Sequence, residues 1–161
     1  MPTTTHTSPD DPTWRSTLAK AAARKTLAEA DFLTTVAAMT ERVPQTQIAA
    51  ALHTSQANVS RWAARGREQA QRRRAGRLGA DPYEIAQRYA LGEISREAML
   101  EALTSWAYED PSEIPPGPLG AWEDGVALLP DASLERTVQR AFDDGLLDAE
   151  EYETILRALA D

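Results

Sequence analysis

The stretch 45–66, QTQIAAALHTSQANVSRWAARG, decides how this chain is read. Pro44, just before it, disfavours helical geometry at Val43 and suits the first position of a new helix. Ile48 and Leu52 then share one helical face, with Ala49 between them. His53-Thr54-Ser55 interrupts that pattern, and Ser55 is a good N-cap for a second helix running to Arg65, with Gly66 as its C-terminal stop. In the second helix Val59 and Trp62 point inward, while Gln56, Ala57, Asn58, Ser60 and Arg61 point elsewhere. Two short helices around a three-residue turn follow. Ile48, Leu52, Val59 and Trp62 fill the wedge between them, and the small Ala49 lets them approach closely.

Working outward toward the N-terminus, residues 13–40 are rich in Ala, Lys, Glu and Leu and predict helix, with room for a break near Lys25 that no Gly or Pro enforces. Leu27, Ala30, Phe32, Leu33, Val36 and Ala37 form a broad apolar stripe, so the part after Glu29 is expected beneath the opening pair of helices. The Trp14–Leu18 segment either covers the same core, the favoured reading, or forms a dimer contact. Residues 1–12, Thr/Pro/Asp-rich with His6 among them, have too little apolar surface to offset ordering entropy and read as a disordered leader.

Thr46-Gln47-Ile48-Ala49 followed by Ser55-Gln56-Ala57-Asn58-Val59-Ser60-Arg61-Trp62 resembles the helix-turn-helix of Xre- and Cro-type bacterial repressors and antitoxins. The resemblance covers residues 45–66 only. The family usually has glycine where His53 stands and an aliphatic residue at Thr54; a non-glycine residue enters the left-handed region at modest cost. The resemblance implies that the second helix enters the major groove of double-stranded DNA, and that the protein is a homodimer reading two half-sites. Gln56 and Asn58 would then suit adenine and Arg61 guanine. Thr46, Ser55 and Ser60 suit phosphates, and Gln47 completes the set. The bland alternative is an ordinary helical hairpin inside an α-domain.

Beyond it, residues 61–77 carry seven arginines (Arg61, Arg65, Arg67, Arg72, Arg73, Arg74 and Arg77) against one acid, Glu68. Beside a recognition helix such a run reads as phosphate contacts, each steepening the log–log salt dependence by roughly 0.9. The alternative is a solvated linker, and residues 67–80 read as an arginine-rich hinge loosened by Gly76 and Gly79.

Charge divides the chain. Residues 1–80 hold 12 Lys/Arg against 6 Asp/Glu, a net +6; residues 81–161 hold 5 against 19, a net −14. One half attracts polyanions and the other repels them. In the acidic half Asp81-Pro82-Tyr83-Glu84 predicts a capped helix start with a capping box. Ile85, Ala86 and Tyr89 form the buried face, and Gly92 is the stop. A second helix follows Ile94-Ser95, with Ile94 and Met99 as a hydrophobic staple and Met99, Leu100, Leu103 and Trp106 inward. The plan recurs 53 residues later: Tyr89, Gly92, Ile94, Ser95 and Glu97 match Phe142, Gly145, Leu147, Asp148 and Glu150. Each copy resembles the short helical-hairpin modules at the ends of many bacterial proteins, a likeness that implies no activity. The proline-rich loop from Glu109 to Asp131 joins the copies, and its Ile114, Leu119 and Trp122 are expected to pack over the bundle.

There is no cysteine and only two histidines, too few for a zinc site, so no cofactor or metal is expected. Asp143, Asp144, Asp148, Glu150, Glu151 and Glu153 stand where caps and solvated helix faces need acids, and no residue is assigned to catalysis. The expectation is an all-α, soluble, cytoplasmic protein with a helix-turn-helix domain at 13–66 and an acidic helical interaction or dimerisation domain at 81–161. As a DNA-binding transcriptional regulator, a repressor or the antitoxin of a toxin–antitoxin pair, it would meet a protein partner through the acidic half. The second reading is an interaction adaptor in which Trp106, Tyr108, Trp122 and the acids bind a basic protein.

Overall fold

A computed structural model describes residues 13–73, 77–109 and 133–161. The expected leader with His6, Arg74, and the proline-rich loop with Ile114, Leu119 and Trp122 lie outside the described residues. Every regular element among the described residues is helical, and the chain is all-α. Its contacts divide it into residues 22–80 and a second group, residues 81–161 with those before Ala22.

Helix α1, Thr13–Met39, runs without interruption, because nothing in its Ala-rich sequence removes a hydrogen bond or adds backbone freedom. No break occurs near Lys25. In residues 22–80 it is followed by α2, Gln45–Ala51, and α3, Gln56–Arg72. Pro44 stands at the N-cap of α2, one residue earlier than expected, and its carbonyl accepts from the N–H of Ile48. Ala30, Leu33, Val36 and Ala37 of α1 are buried, and Val36 joins Ile48, Ala49, Val59 and Ala63 in one core, with Val43 and Trp62 packed on it. Leu52 was expected in that wedge but is 40% exposed. It is the last residue before the chain turns, and its side chain faces out.

Gly66 does not stop α3. The helix continues to Arg72, and Gly66 is buried on α1 instead: a Cβ there would stand 2.0 Å from the carbonyl oxygen of Leu33 and 2.9 Å from the Cβ of Ala37. Glycine is required because two helix backbones meet. Beside that crossing Trp62 packs edge-to-face on Phe32, ring centroids 5.3 Å apart.

In the second group lie α4, Pro82–Ala90, and α5, Arg96–Thr104; then a π-helical turn, Glu135–Gln139, leading into α6, Arg140–Asp143; then α7, Ala149–Ala160. Helix α4 packs on α5 and on the π-helical turn, and α5 on α7. Their core is Ile85, Ala86, Met99, Leu103, Val138, Ala141, Leu146, Leu147 and Ile155. Leu100 and Trp106, expected inward, are half-buried at its margin. Trp14 and Leu18 do not enter the α2–α3 core; Leu18 is 60% exposed. The start of α1 instead belongs with this second group, where Ala19 packs on the core and the Ser16 hydroxyl donates to the Gly145 carbonyl at 3.1 Å. The small Ala19 makes the contact, and the larger Leu18 beside it faces solvent.

The internal repeat is visible atom by atom. Gly92 N–H donates to Tyr89 O at 2.8 Å and Glu93 N–H to Arg88 O at 2.9 Å; 53 residues on, Gly145 N–H donates to Phe142 O and Leu146 N–H to Ala141 O, both at 2.9 Å. Gly92 and Gly145 have φ of 76° and 70°. This is the Schellman ending, in which a left-handed residue lets two N–H groups satisfy the last carbonyls of a helix. Ser95 and Asp148 then cap α5 and α7 at the same offset, and Asp148 with Glu151 forms a complete capping box.

Candidate nucleic-acid interface

The turn between α2 and α3 uses the same ending with a different residue. His53 N–H donates to Ala50 O at 3.2 Å, Thr54 N–H to Ala49 O at 2.9 Å, and His53 itself holds φ 50°. The chain then becomes extended at Ser55, whose hydroxyl accepts from the N–H of Asn58 at 3.2 Å. Helix α3 therefore begins with its remaining N–H groups and the positive end of its dipole facing out.

Burial along α3 has helical period. Val59, Ala63 and Gly66 are buried, whereas Gln56, Ala57, Ser60, Arg61 and Ala64 are exposed. Thr46 and Gln47 of α2 are also exposed, as is Ser55. Six of the residues singled out from sequence (Thr46, Gln47, Ser55, Gln56, Ser60 and Arg61) are thus solvent-facing on α2, the turn and the first half of α3. No Asp or Glu occurs from Arg42 to Arg67, in a chain with 25 of them. A polyanion meets no fixed negative charge from that stretch.

Asn58 is placed differently. It is half-buried; its amide NH2 donates to Thr54 Oγ1 at 2.8 Å, and its amide oxygen accepts from the Arg61 guanidinium. The other arginines sort by partner. Arg65 pairs with Glu29 at 3.3 Å, Arg72 with Glu68 at 2.9 Å, and Arg73 with Asp31 at 3.1 Å. Arg67 donates to the Thr40 hydroxyl at 3.2 Å. Arg61 and Arg67 rest on neutral acceptors and keep their full charge, while acids of the protein's own helices offset Arg65, Arg72 and Arg73. As read from sequence, Thr54, Thr40, Glu29 and Asp31 have no role as partners of these side chains. The first was legible in its spacing, four residues before Asn58 as Arg61 is three after; the others depend on how α1 lies along α3.

Several acidic side chains of the second group are bonded within the fold. Tyr89 donates to Glu151, which also receives Arg96 at 3.5 Å and the Asp148 N–H at 2.9 Å. That bond to the carboxylate, with burial second, holds the Tyr89 phenol up at about 12. Burial first, then the 2.7 Å bond to Asp144, does the same for Tyr83, again to about 12. Burial raises Asp81 above the usual carboxylate range, against the bond it accepts from the Glu84 N–H. A cleft of about 360 Å³ between the two glycine turns is lined by Lys20, Tyr89, Asp148 and Glu151 among others, and its carboxylates are the same capping pair. Tyr108 donates to Leu103 O at 2.8 Å and, like Trp106, packs on this core. Among the described residues no three side chains of metal-ligating type converge, and no helix is long and apolar enough to cross a membrane.

Comparison of the chain with protein-family models, with curated proteins and with solved structures finds no match.

Proposed function

We propose that this protein is a sequence-specific DNA-binding regulator of transcription that reads the major groove of double-stranded DNA with the first half of α3. The supporting observation is the exposed face formed by Thr46, Gln47, Ser55, Gln56, Ser60 and Arg61. That face is polar, free of acids within its own stretch, and held rigidly by a buried core directly behind it. An ordinary helical hairpin has no need of all three. Gln56 and Arg61 carry side chains suited to base edges, and Thr46, Ser55 and Ser60 to phosphates. A homodimer would present two such faces to half-sites about one helical turn apart. The acidic part, with net −14, is repelled by DNA and stays available to a protein partner, as it would in an antitoxin.

The test is selection of duplexes from a randomised library by the full chain at about 150 mM salt, where non-specific binding is weak. The expected result is one enriched motif. Arg61→Ala should lower affinity for that motif by about 1–3 kcal/mol and relax the requirement at one base. If no motif emerges from the library, the proposal is wrong.

A further inference from the structure

Sequence alone gives Asn58 a base-reading role; its hydrogen bonds point elsewhere. Resting on the DNA-reading proposal above, we propose that Asn58 is a positioning residue. It links the α2–α3 turn to Arg61 and thereby sets the base preference that Arg61 expresses.

The two ends of an amide side chain are not interchangeable: the NH2 only donates and the oxygen only accepts. Thr54 Oγ1 receives the Nδ2 group at 2.8 Å, which turns Oδ1 toward the Arg61 Nη2 that donates to it. Thr54 is itself fixed, because its backbone N–H donates to Ala49 O at 2.9 Å in the ending of α2. Asn58 is held a second time through its own N–H on the Ser55 hydroxyl. A continuous chain of bonds therefore runs from the last turn of α2 through Thr54 and Asn58 to an exposed guanidinium.

This arrangement has two consequences. A bidentate contact to adenine needs an amide donor and acceptor presented together on one open edge, whereas Asn58 is half-buried and already makes one bond within the protein at each end of its amide. Arg61 commits one of its five N–H donors to Asn58 and retains enough of the fork to span guanine O6 and N7. Tethering also reduces the side-chain freedom that Arg61 loses on docking, and it fixes the direction of approach. The partner is neutral, so Arg61 keeps the charge that Glu29, Glu68 and Asp31 offset at Arg65, Arg72 and Arg73.

Three variants separate positioning from reading: Asn58→Ala, Asn58→Asp and Arg61→Ala, with the double variant Asn58→Ala/Arg61→Ala. Asp preserves an acceptor for Arg61 and can accept the Thr54 hydroxyl proton, but it adds a negative charge near phosphates. Each full-length chain is titrated with the selected duplex and with single-base variants of it. Asn58→Ala is expected to lose about fivefold or more of the preference at the same base as Arg61→Ala, and to add nothing in the Arg61→Ala background. Asn58→Asp is expected to bind all duplexes more weakly while keeping that preference, and it serves as the test should Asn58→Ala fail to fold. Loss of preference at a different base, or independent losses from the two alanine variants, would overturn the positioning role while leaving DNA reading intact. Absence of any preference in the unsubstituted chain removes both.

Discussion

Among the described residues three helices end in the same way, and one of them does so without glycine. Around α4–α5 and α6–α7 the left-handed position is Gly92 or Gly145; between α2 and α3 it is His53. The acidic region with the glycines buries Ile85, Met99, Leu103, Val138 and Ile155 among others, and its Tyr83, Tyr89, Asp144, Asp148 and Glu151 are bonded to one another or to the backbone. In the α2–α3 region Val36, Ile48, Ala49, Val59 and Ala63 form the core, and Thr46, Gln47, Ser55, Gln56, Ser60 and Arg61 lie outside it, with Thr54 and Asn58 half-buried. Polar groups tied into internal bonds are presented less freely than those that carry none. Those on the outer side of a helix pinned by one close crossing remain presented.

The largest effect is expected where that crossing is tightest. Gly66→Ala places a methyl 2.0 Å from the Leu33 carbonyl oxygen and should destabilise residues 22–80 by about 3 kcal/mol, the upper part of the overpacking range. Urea unfolding followed by region-resolved hydrogen exchange should show early loss of protection in α3 and undisturbed α5. Unchanged protection in α3 would mean that the crossing is looser than described.

The two glycine turns allow a controlled comparison. Their φ values are nearly equal, so Gly92→Ala and Gly145→Ala share a left-handed strain of about 1–2 kcal/mol. A Cβ on Gly92 meets nothing within 4 Å, whereas one on Gly145 stands 3.1 Å from the Ser16 Cβ. Gly145→Ala should therefore cost more, and Ser16→Gly should remove most of the difference. Equal costs would separate the start of α1 from this turn. The third turn should respond in the opposite sense: His53→Gly relieves strain and should raise stability by up to about 1 kcal/mol, measured as a shift in urea midpoint.

The smallest effect near neutral pH involves the tyrosines, all four of which lie in residues 83–152. Tyr83 and Tyr89 hold their protons to about 12 in the folded chain, against an ordinary value of 10. A raised folded value means that their contribution is complete below pH 10 and is lost as pH rises through 12. Alkaline unfolding should begin in the acidic region, and Tyr89→Phe with Tyr83→Phe should flatten the pH dependence. A curve unchanged by both substitutions would show that these bonds do not govern it.

Much of this was legible in the chain itself, because local hydrogen bonding and helical period depend on residues a few positions apart. Ser55, Asp81, Ser95 and Asp148 announce caps, and all four accept from the N–H three residues on. The repeat of 53 residues predicts two equivalent turns, and the hydrogen bonds agree position by position. The outward polar face of α3 follows from the inward spacing of Val59 and Trp62; Val59 is buried and Trp62 packs on the core. What misled was size without context. Leu18 and Leu52 are large and apolar yet exposed, while Ala19 and Gly66 make the contacts, because helices approach where side chains are small.

The amino-acid order alone determines the helices, their caps, the separation of charge and the face that α3 turns outward, since each follows from neighbours within one or two turns. Only the tertiary structure decides that Gly66 lies in a crossing and is not a stop, and that Glu29 and Asp31 hold Arg65 and Arg73. Those facts depend on atoms far apart in sequence meeting at 3.1 and 3.3 Å in the two ion pairs, and on α3 lying so close to α1 that a Cβ on Gly66 would clash with Leu33. No local pattern encodes such a distance. It is set by the volume of side chains packed between α1 and α3.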